Sequence, residues 1–533
     1  MWSLAFSMAA CDFLDTEPFD TMAPETFYQN KQECEQALAG VYSTLALQET
    51  YGNNYSLMLS NTDDLSYFAR EAGSRPIVTH GAVCNTHDES DEKIFEVWKA
   101  FYDGINNSNV LLDNIDKAKF DDEKERTRIK GEAKFLRAYY HFILVQGWYE
   151  VPIRKITVKN IETSSMEATP HAEALDWIIG EMEACINMVE PDKFDNNPAR
   201  IKKTVVEGIL ARVYLWRAGA IGKGGKPFYE LAAKHAKNVY SSQKHQLNRD
   251  EDITTIWQLM AGDGREAAKN ESMWEAEFIG NRDNGNNTNG RIGNEIGILH
   301  AATPDNKATG AAFYCSTLIL YDLFDKNDRN DKRRTLSIAE YKRNNKGAQA
   351  LYKYNASDIS KTEFVERPCA KFRREWEKVT PQNANWTPEN FPILRYADVL
   401  LMWSEAELES TGNVTEALIG INEVRNRAGI AKLEDNISPD KLRQEIRDER
   451  ARELCFEALR KYDLIRWGIY VDAIKNKLGT ALQDPRWQQA SKKQYKTGVK
   501  QFVDYTQDKH QFLPIPIKEL SVNTKLEQNK FWK

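Results

Sequence analysis

Two carboxylate pairs stand where acid–base chemistry would want them, Asp63 with Asp64 and Glu405 with Glu407. A glycosidase needs one carboxyl to protonate the leaving oxygen and a second across the sugar from it. Glu405 and Glu407 lie in a stretch of helical period. Positions two apart on a helix point about 200° away from each other, so this pair cannot flank one bond. Asp63 and Asp64 are chain neighbours in a loop, where turn capping or ligand contact suits them better. There is no GxSxG elbow for a nucleophilic serine and no HExxH zinc motif. Gly222-Lys223-Gly224-Gly225-Lys226 lacks the spacing and the Ser/Thr of a phosphate-cradling loop. The eight histidines are scattered, with His80 and His87 one of the closer pairs. The seven cysteines (Cys11, Cys34, Cys84, Cys185, Cys315, Cys369, Cys455) include no CxxC pair. They are too few for a disulfide scaffold, and most are expected to be small buried hydrophobes. No catalytic residue, metal-ligand set or cofactor is assigned. Asp328, Asp331 and the loop acids are compatible with calcium without supporting it.

The elements around these residues are helical. Glu92–Ile115 carries apolar residues at Ile94, Val97, Trp98, Phe101, Ile105, Leu111 and Leu112, largely at steps of three and four. Lys124–Gln146 continues in that style until Val151-Pro152, and His171–Val189 forms a third helix behind Pro170. A degenerate repeat follows: Val205–Ala218 with Phe228–Tyr240, then Val399–Ser410 with Val414–Arg427. Each pair is helix, Gly-containing turn, helix, with alanines where the two must approach, as in tetratricopeptide hairpins. Residues 242–390 are punctuated by Gly and Asn, as in Asn281–Asn289, and read as a loop-rich insertion; 52–90 is a second such region. The expected class is mainly α, a tetratricopeptide-like hairpin scaffold with a loop-rich irregular subdomain. Its expected parts are 1–10, 11–241, 242–390 and 391–533.

Hydrophobic residues make up 41% and charged residues 28%, a globular balance. Lys and Arg number 72 against 79 Asp and Glu, a net charge of −7, which argues against a nucleic-acid partner. No apolar run approaches the roughly 20 residues of a spanning helix. Met1–Ala10 is apolar and rich in small residues, and it stops at Cys11. Met8-Ala9-Ala10-Cys11 is similar to a bacterial lipobox, though the segment has no Lys or Arg ahead of it. Lipidation of Cys11 is expected, making a lipid anchor the only membrane attachment.

Four segments together resemble the SusD/RagB family of outer-membrane lipoproteins of Bacteroidota. They are Cys11–Pro18; Gly131–Tyr140 closing at Val151-Pro152; Arg395–Leu401 with Glu405-Ala406; and Glu449–Leu454 and Tyr462–Gly468 with Leu513–Pro516. The match spans nearly the whole chain and is weakest over 242–390. The resemblance implies outward-facing attachment at the outer membrane, an oligosaccharide ligand, and a SusC-like TonB-dependent transporter as partner. Alternatives are a RagB-like peptide-binding uptake protein, a helical protein-interaction scaffold, and a glycan-degrading enzyme. Arg137, Arg395, Glu449, Arg450 and Arg466 lie among apolar helical residues and are expected to tie helices together. Trp98 and Trp467 are expected to pack in the core or a groove. A sugar offers apolar C–H faces ringed by hydroxyls, so its site wants loop aromatics beside polar groups. Candidate contacts are Tyr67, Phe68, Phe313, Tyr314 and Trp386, with Asp64, Arg70, Asn286, Arg291 and Asn294.

Overall fold

The computed structural model of the chain describes residues 27–69, 77–158, 164–191, 198–249, 253–262, 271–280, 290–328, 330–353, 362–489 and 493–533. Helices α1 (Lys31–Ser43), α2 (Glu92–Asn114) and α3 (Glu123–Trp148) each start on a polar cap. Asn30, Asp91 and Asp122 accept from backbone N–H groups two or three residues on, donors that a first turn leaves unpaired. Ile94, Val97, Trp98, Phe101, Ile105 and Leu111 of α2 are buried. The second half of α3 is buried all round, because α1, α2 and α4 (His171–Cys185) all pack on it. The third helix is thus shorter than its apolar pattern implied; turns carry the chain from Ile186 to Val189.

Helix α5 (Lys203–Ala218) packs on α4, and α6 (Lys226–Ser242) folds back on α5. Between α6 and the next long helix the elements are short. They include α7 (Thr255–Ala261), strand Ser272–Ala276, α8 (Ile292–Glu295), strand Tyr314–Ser316 and α9 (Leu318–Asp325). Helices α10 (Tyr396–Thr411) and α11 (Val414–Arg427) then form the second hairpin, with Gly412 at φ +71° in the left-handed cap. The two hairpins pack together through α6 and α10. Close approach is visible at Gly420: an added Cβ would lie 2.3 Å from the Leu400 carbonyl oxygen, so only glycine fits. The fold is a mainly helical, tetratricopeptide-like stack.

Two small antiparallel ladders bind the irregular stretches to this stack and to each other. Ser272–Ala276 pairs with Phe391–Arg395, which runs directly into α10. Ser66–Phe68 pairs with Tyr314–Ser316 and joins the first loop region to the second.

Helix α12 (Pro439–Leu454) and α13 (Arg460–Arg466) supply a buried ionic lattice. Arg395 donates to Glu457 at 2.7 and 2.8 Å and to Glu453 at 3.0 Å. Arg427 reaches Glu271 at 2.9 Å, Lys371 reaches Glu457 at 2.6 Å, and Arg333 meets Glu449 at 2.6 Å. Arg450 bridges Asp398 and Asp463, each at 2.8 Å, and Arg466 reaches Glu405 at 2.7 Å. Arg137 donates to Asn109 at 2.7 Å across α2 and α3. Each of these arginines therefore ties elements together. Trp98 is buried, and Trp467 is half-buried between Arg447 and Arg466, both 4.9 Å from its ring.

Candidate ligand-binding site

The short helix α8 is the hub of the irregular region. Its entry is fixed by an antiparallel bridge between Gly290 and Thr387 and by the Arg291 N–H, which donates to the Gly52 carbonyl at 3.0 Å. At its far end the Ala311 N–H donates to the Asn294 carbonyl (2.6 Å) and the Phe313 N–H to that of Glu295 (2.7 Å). The Ala69 N–H donates in turn to the Phe313 carbonyl at 2.6 Å. Both loop regions expected from the sequence thus meet here, and so do seven of the candidate ligand contacts.

Their burial divides them. Tyr67, Phe68 and Tyr314 point inward: Tyr314 is 0% exposed, and Tyr67 donates its hydroxyl to the Val365 carbonyl. Phe68 sits 5.5 Å from Tyr314 and 5.6 Å from Phe313, ring centre to ring centre. These three rings are core, which corrects their expected role: a buried face offers nothing to a sugar. Asp64 is likewise spent, because Arg460 donates to both its oxygens at 2.8 Å. Asn294 is buried and donates to the Thr309 carbonyl at 2.6 Å, so it builds the hub without facing solvent. Arg291, Phe313 and Trp386 remain half-exposed. Cys11, Arg70 and Asn286 lie outside the described residues.

The outward corner is therefore Trp386 with Arg291, whose guanidinium lies 5.6 Å from the indole centre. Arg291 also pairs with Glu295 at 3.0 Å. The Trp386 loop owes its shape to a residue the sequence did not reveal. Arg374, 1% exposed, donates to the carbonyls of Thr309 and Ala384 at 2.8 Å, Asn383 at 2.6 Å and Trp386 at 3.3 Å. Asn383 closes the turn by accepting from the Asn385 and Trp386 N–H groups at 3.1 and 3.2 Å. The Asn-rich run Gln382-Asn383-Ala384-Asn385 signals that turn; nothing local signals Arg374, because its partners lie up to 65 residues away.

Beneath the loop lie two buried carboxyls, Glu377 and Glu389. Arg374 donates to Glu377 through Nε at 2.6 Å and Nη2 at 3.2 Å. Glu389 lies beside the Thr387 hydroxyl, its own backbone N–H and the Glu377 carboxyl, and the Arg374 charge favours its ionised form. The carboxyl of Glu389 fills the space where Gly293 has no side chain; a Cβ there would lie 2.2 Å from its Oε1. Burial and then the Glu389 charge push Glu377 up to about 9, and burial raises Glu389 as well.

Three concave features elsewhere among the described residues suit a sugar less well. An interior cavity of about 40 Å³ among Tyr51, Tyr55, Tyr139, Arg212 and Tyr462 has room for a few waters only. Open grooves of about 650 Å³ beside α11 and about 390 Å³ between α9 and α12 carry charged and aliphatic side chains but no aromatic ring. Among the carboxylates first considered, Asp63 caps a turn by accepting from the Leu65 and Ser66 N–H groups at 2.7 and 2.9 Å. Glu405 is held by Arg466 and Trp467, whereas Glu407 accepts from Thr411 on the outer face.

Comparison with known proteins gives consistent results. Residues 270–532 match the family model described as "SusD family", and residues 12–215 match one described as "Starch-binding associating with outer membrane". The SusD-like protein P25 of Formosa agariphila is 27% identical, with 98% of this chain and 95% of that protein aligned. The crystal structure of a SusD homolog from Bacteroides thetaiotaomicron superposes with a TM-score of 0.83 at 24% identity, covering 95% of this chain and 98% of the other. A laminarin-binding SusD-like protein superposes with a TM-score of 0.72 at 22% identity, covering 94% and 100%.

Proposed function

The chain belongs to the SusD/RagB family, and from that premise we propose that it is a cell-surface glycan-binding lipoprotein without catalytic activity. In this reading the acylated Cys11 holds it to the outer membrane, facing outward. It captures an oligosaccharide and passes it to a SusC-like TonB-dependent transporter. The observation that carries the ligand class is the half-exposed Trp386, stacked with Arg291 at the meeting point of both loop regions. An indole face takes the apolar side of a pyranose, while the guanidinium and the loop amides take hydroxyls. The family model's starch-binding description and the laminarin-binding neighbour agree with that chemistry.

Calorimetric titration with laminarin and starch oligosaccharides tests the reading. Trp386→Ala is expected to weaken binding by about 1–3 kcal/mol, roughly five- to hundredfold, without changing the melting profile. Undiminished affinity in the variant removes this corner from the site. Release of reducing ends from the same glycans would overturn the binding-only reading.

A further inference from the structure

Arg374, Glu377 and Glu389 are three buried ionisable groups within one turn of the Trp386 loop, and nothing in glycan recognition itself requires them. Arg374 and Glu377 are each 1% exposed, and Glu389 is buried to the same degree. The Arg374 fork on Glu377 settles one carboxylate charge. Glu389 has no such fork: the Thr387 hydroxyl, its own backbone N–H and the Glu377 carboxyl are its hydrogen-bonding neighbours. Two carboxylates in contact inside a protein cannot both stay ionised; one proton between them turns the repulsion into a hydrogen bond. The charged groups on adjoining elements do not alter this count. Arg291 and Glu295 on α8 neutralise each other at 3.0 Å. Arg343 pairs with Glu375, and burial and those two arginines, Arg343 and Arg374, keep His300 low. The Lys378 stem runs toward Gly262 at the end of α7.

We propose that Glu377 and Glu389 share a single proton and, with Arg374, form a charge-neutral clasp that positions the Trp386 loop for its ligand. The clasp rests on the glycan-binding reading for its purpose but not for its existence. Its three members are positioning residues: the guanidinium holds four loop carbonyls, the Glu377 carboxyl accepts from the guanidinium, and the Glu389 carboxyl lies over the glycine floor of α8. Removing the shared proton to solvent leaves two negative charges against one positive charge in a dry site. The loop is then expected to open. Burial and mutual repulsion put that loss at about 9.

The test compares the wild-type chain with Glu389→Gln, whose amide leaves one ionisable carboxyl in the clasp and no shared proton to lose. Hydrogen exchange across residues 374–390 is followed from about pH 7 to about pH 10 with the intrinsic rate removed, alongside titration with laminarin and with starch. In the wild type, protection of the loop amides relative to the intrinsic rate is expected to fall as pH passes about 9, and glycan affinity to fall by up to about tenfold per pH unit beyond it, the slope of one linked proton. In Glu389→Gln both slopes should vanish, whatever its affinity at neutral pH. Equal pH profiles in the two proteins overturn the proposal, as does loop opening that glycan affinity ignores. If neither glycan binds at all, the ligand reading fails for those sugars while the exchange profiles still decide the clasp. Should Glu389→Gln not fold, Glu377→Gln neutralises the other carboxyl and carries the same comparison.

Discussion

Arg374 is the residue on which most of the site's geometry depends. Its replacement by Met keeps the stem's volume but leaves carbonyls of Thr309, Asn383, Ala384 and Trp386 without their donor and Glu377 without its counter-charge. Breaking one side of a buried pair costs about 3–5 kcal/mol, so Arg374→Met is expected to lower the unfolding free energy by that order in a urea titration. Gly293 makes a second residue-scale case. Gly293→Ala would drive a methyl group into the Glu389 carboxyl. It should therefore disturb ligand affinity and stability together, where Trp386→Ala disturbs affinity alone; thermal melts and calorimetry on the same preparations separate the two.

At the scale of elements, α12 is the stitch between the irregular region and the hairpin stack. Its Glu449 and Glu453 face Arg333 from the irregular stretch, Arg395 from the strand that leads into α10, and Arg425 and Arg427 from α11. Although burial alone would raise both carboxyls, the surrounding cations win, led by Arg333 for Glu449 and by Arg427 for Glu453. They hold Glu449 at about 2 and Glu453 well below the usual carboxylate range. The sign follows from a depressed folded value: the stabilisation is fully present above the unfolded carboxylate value of about 4.3 and is lost as pH falls toward about 2. Acid unfolding followed by circular dichroism should therefore be steep between those limits. Glu449→Gln is expected to be less stable at neutral pH and to show a shallower acid limb. An unchanged acid limb in the variant would show that α12 does not carry this dependence.

For the whole molecule, the decisive properties are attachment and partnership. Cys11→Ser is expected to move the protein from the membrane fraction to the soluble fraction of fractionated cells while leaving glycan affinity intact. Affinity purification of the wild type from membranes should bring down a large TonB-dependent barrel protein, and its absence would count against delivery to a transporter. The ionic lattice and the Ser272–Ala276 ladder tie the irregular region to the helices at several points. The loop corner is thereby held on a rigid base, the arrangement that lets loops carry recognition.

The helices and their hairpin pairing were legible because an amphipathic period and a capping residue are local: Asp91, Asp122 and Gly412 stand beside the turns they start or stop. The structural role of Arg395, Arg450 and Arg466 was legible too, since a charge amid a buried helical face must find a partner. Aromatic residues in loop-like sequence did gather at one place, around α8. Which of them faces outward was not legible, because alternation in a three-residue ladder does not say which side is covered. Only tertiary packing turned Tyr67, Phe68 and Tyr314 inward and left Trp386 half in solvent. Arg374 and the Glu377–Glu389 pair were hidden for a related reason. Their meaning lies in contacts with Thr309, Gly293 and the 383–386 loop. Folding alone brings those segments together, and burial alone makes a shared proton matter.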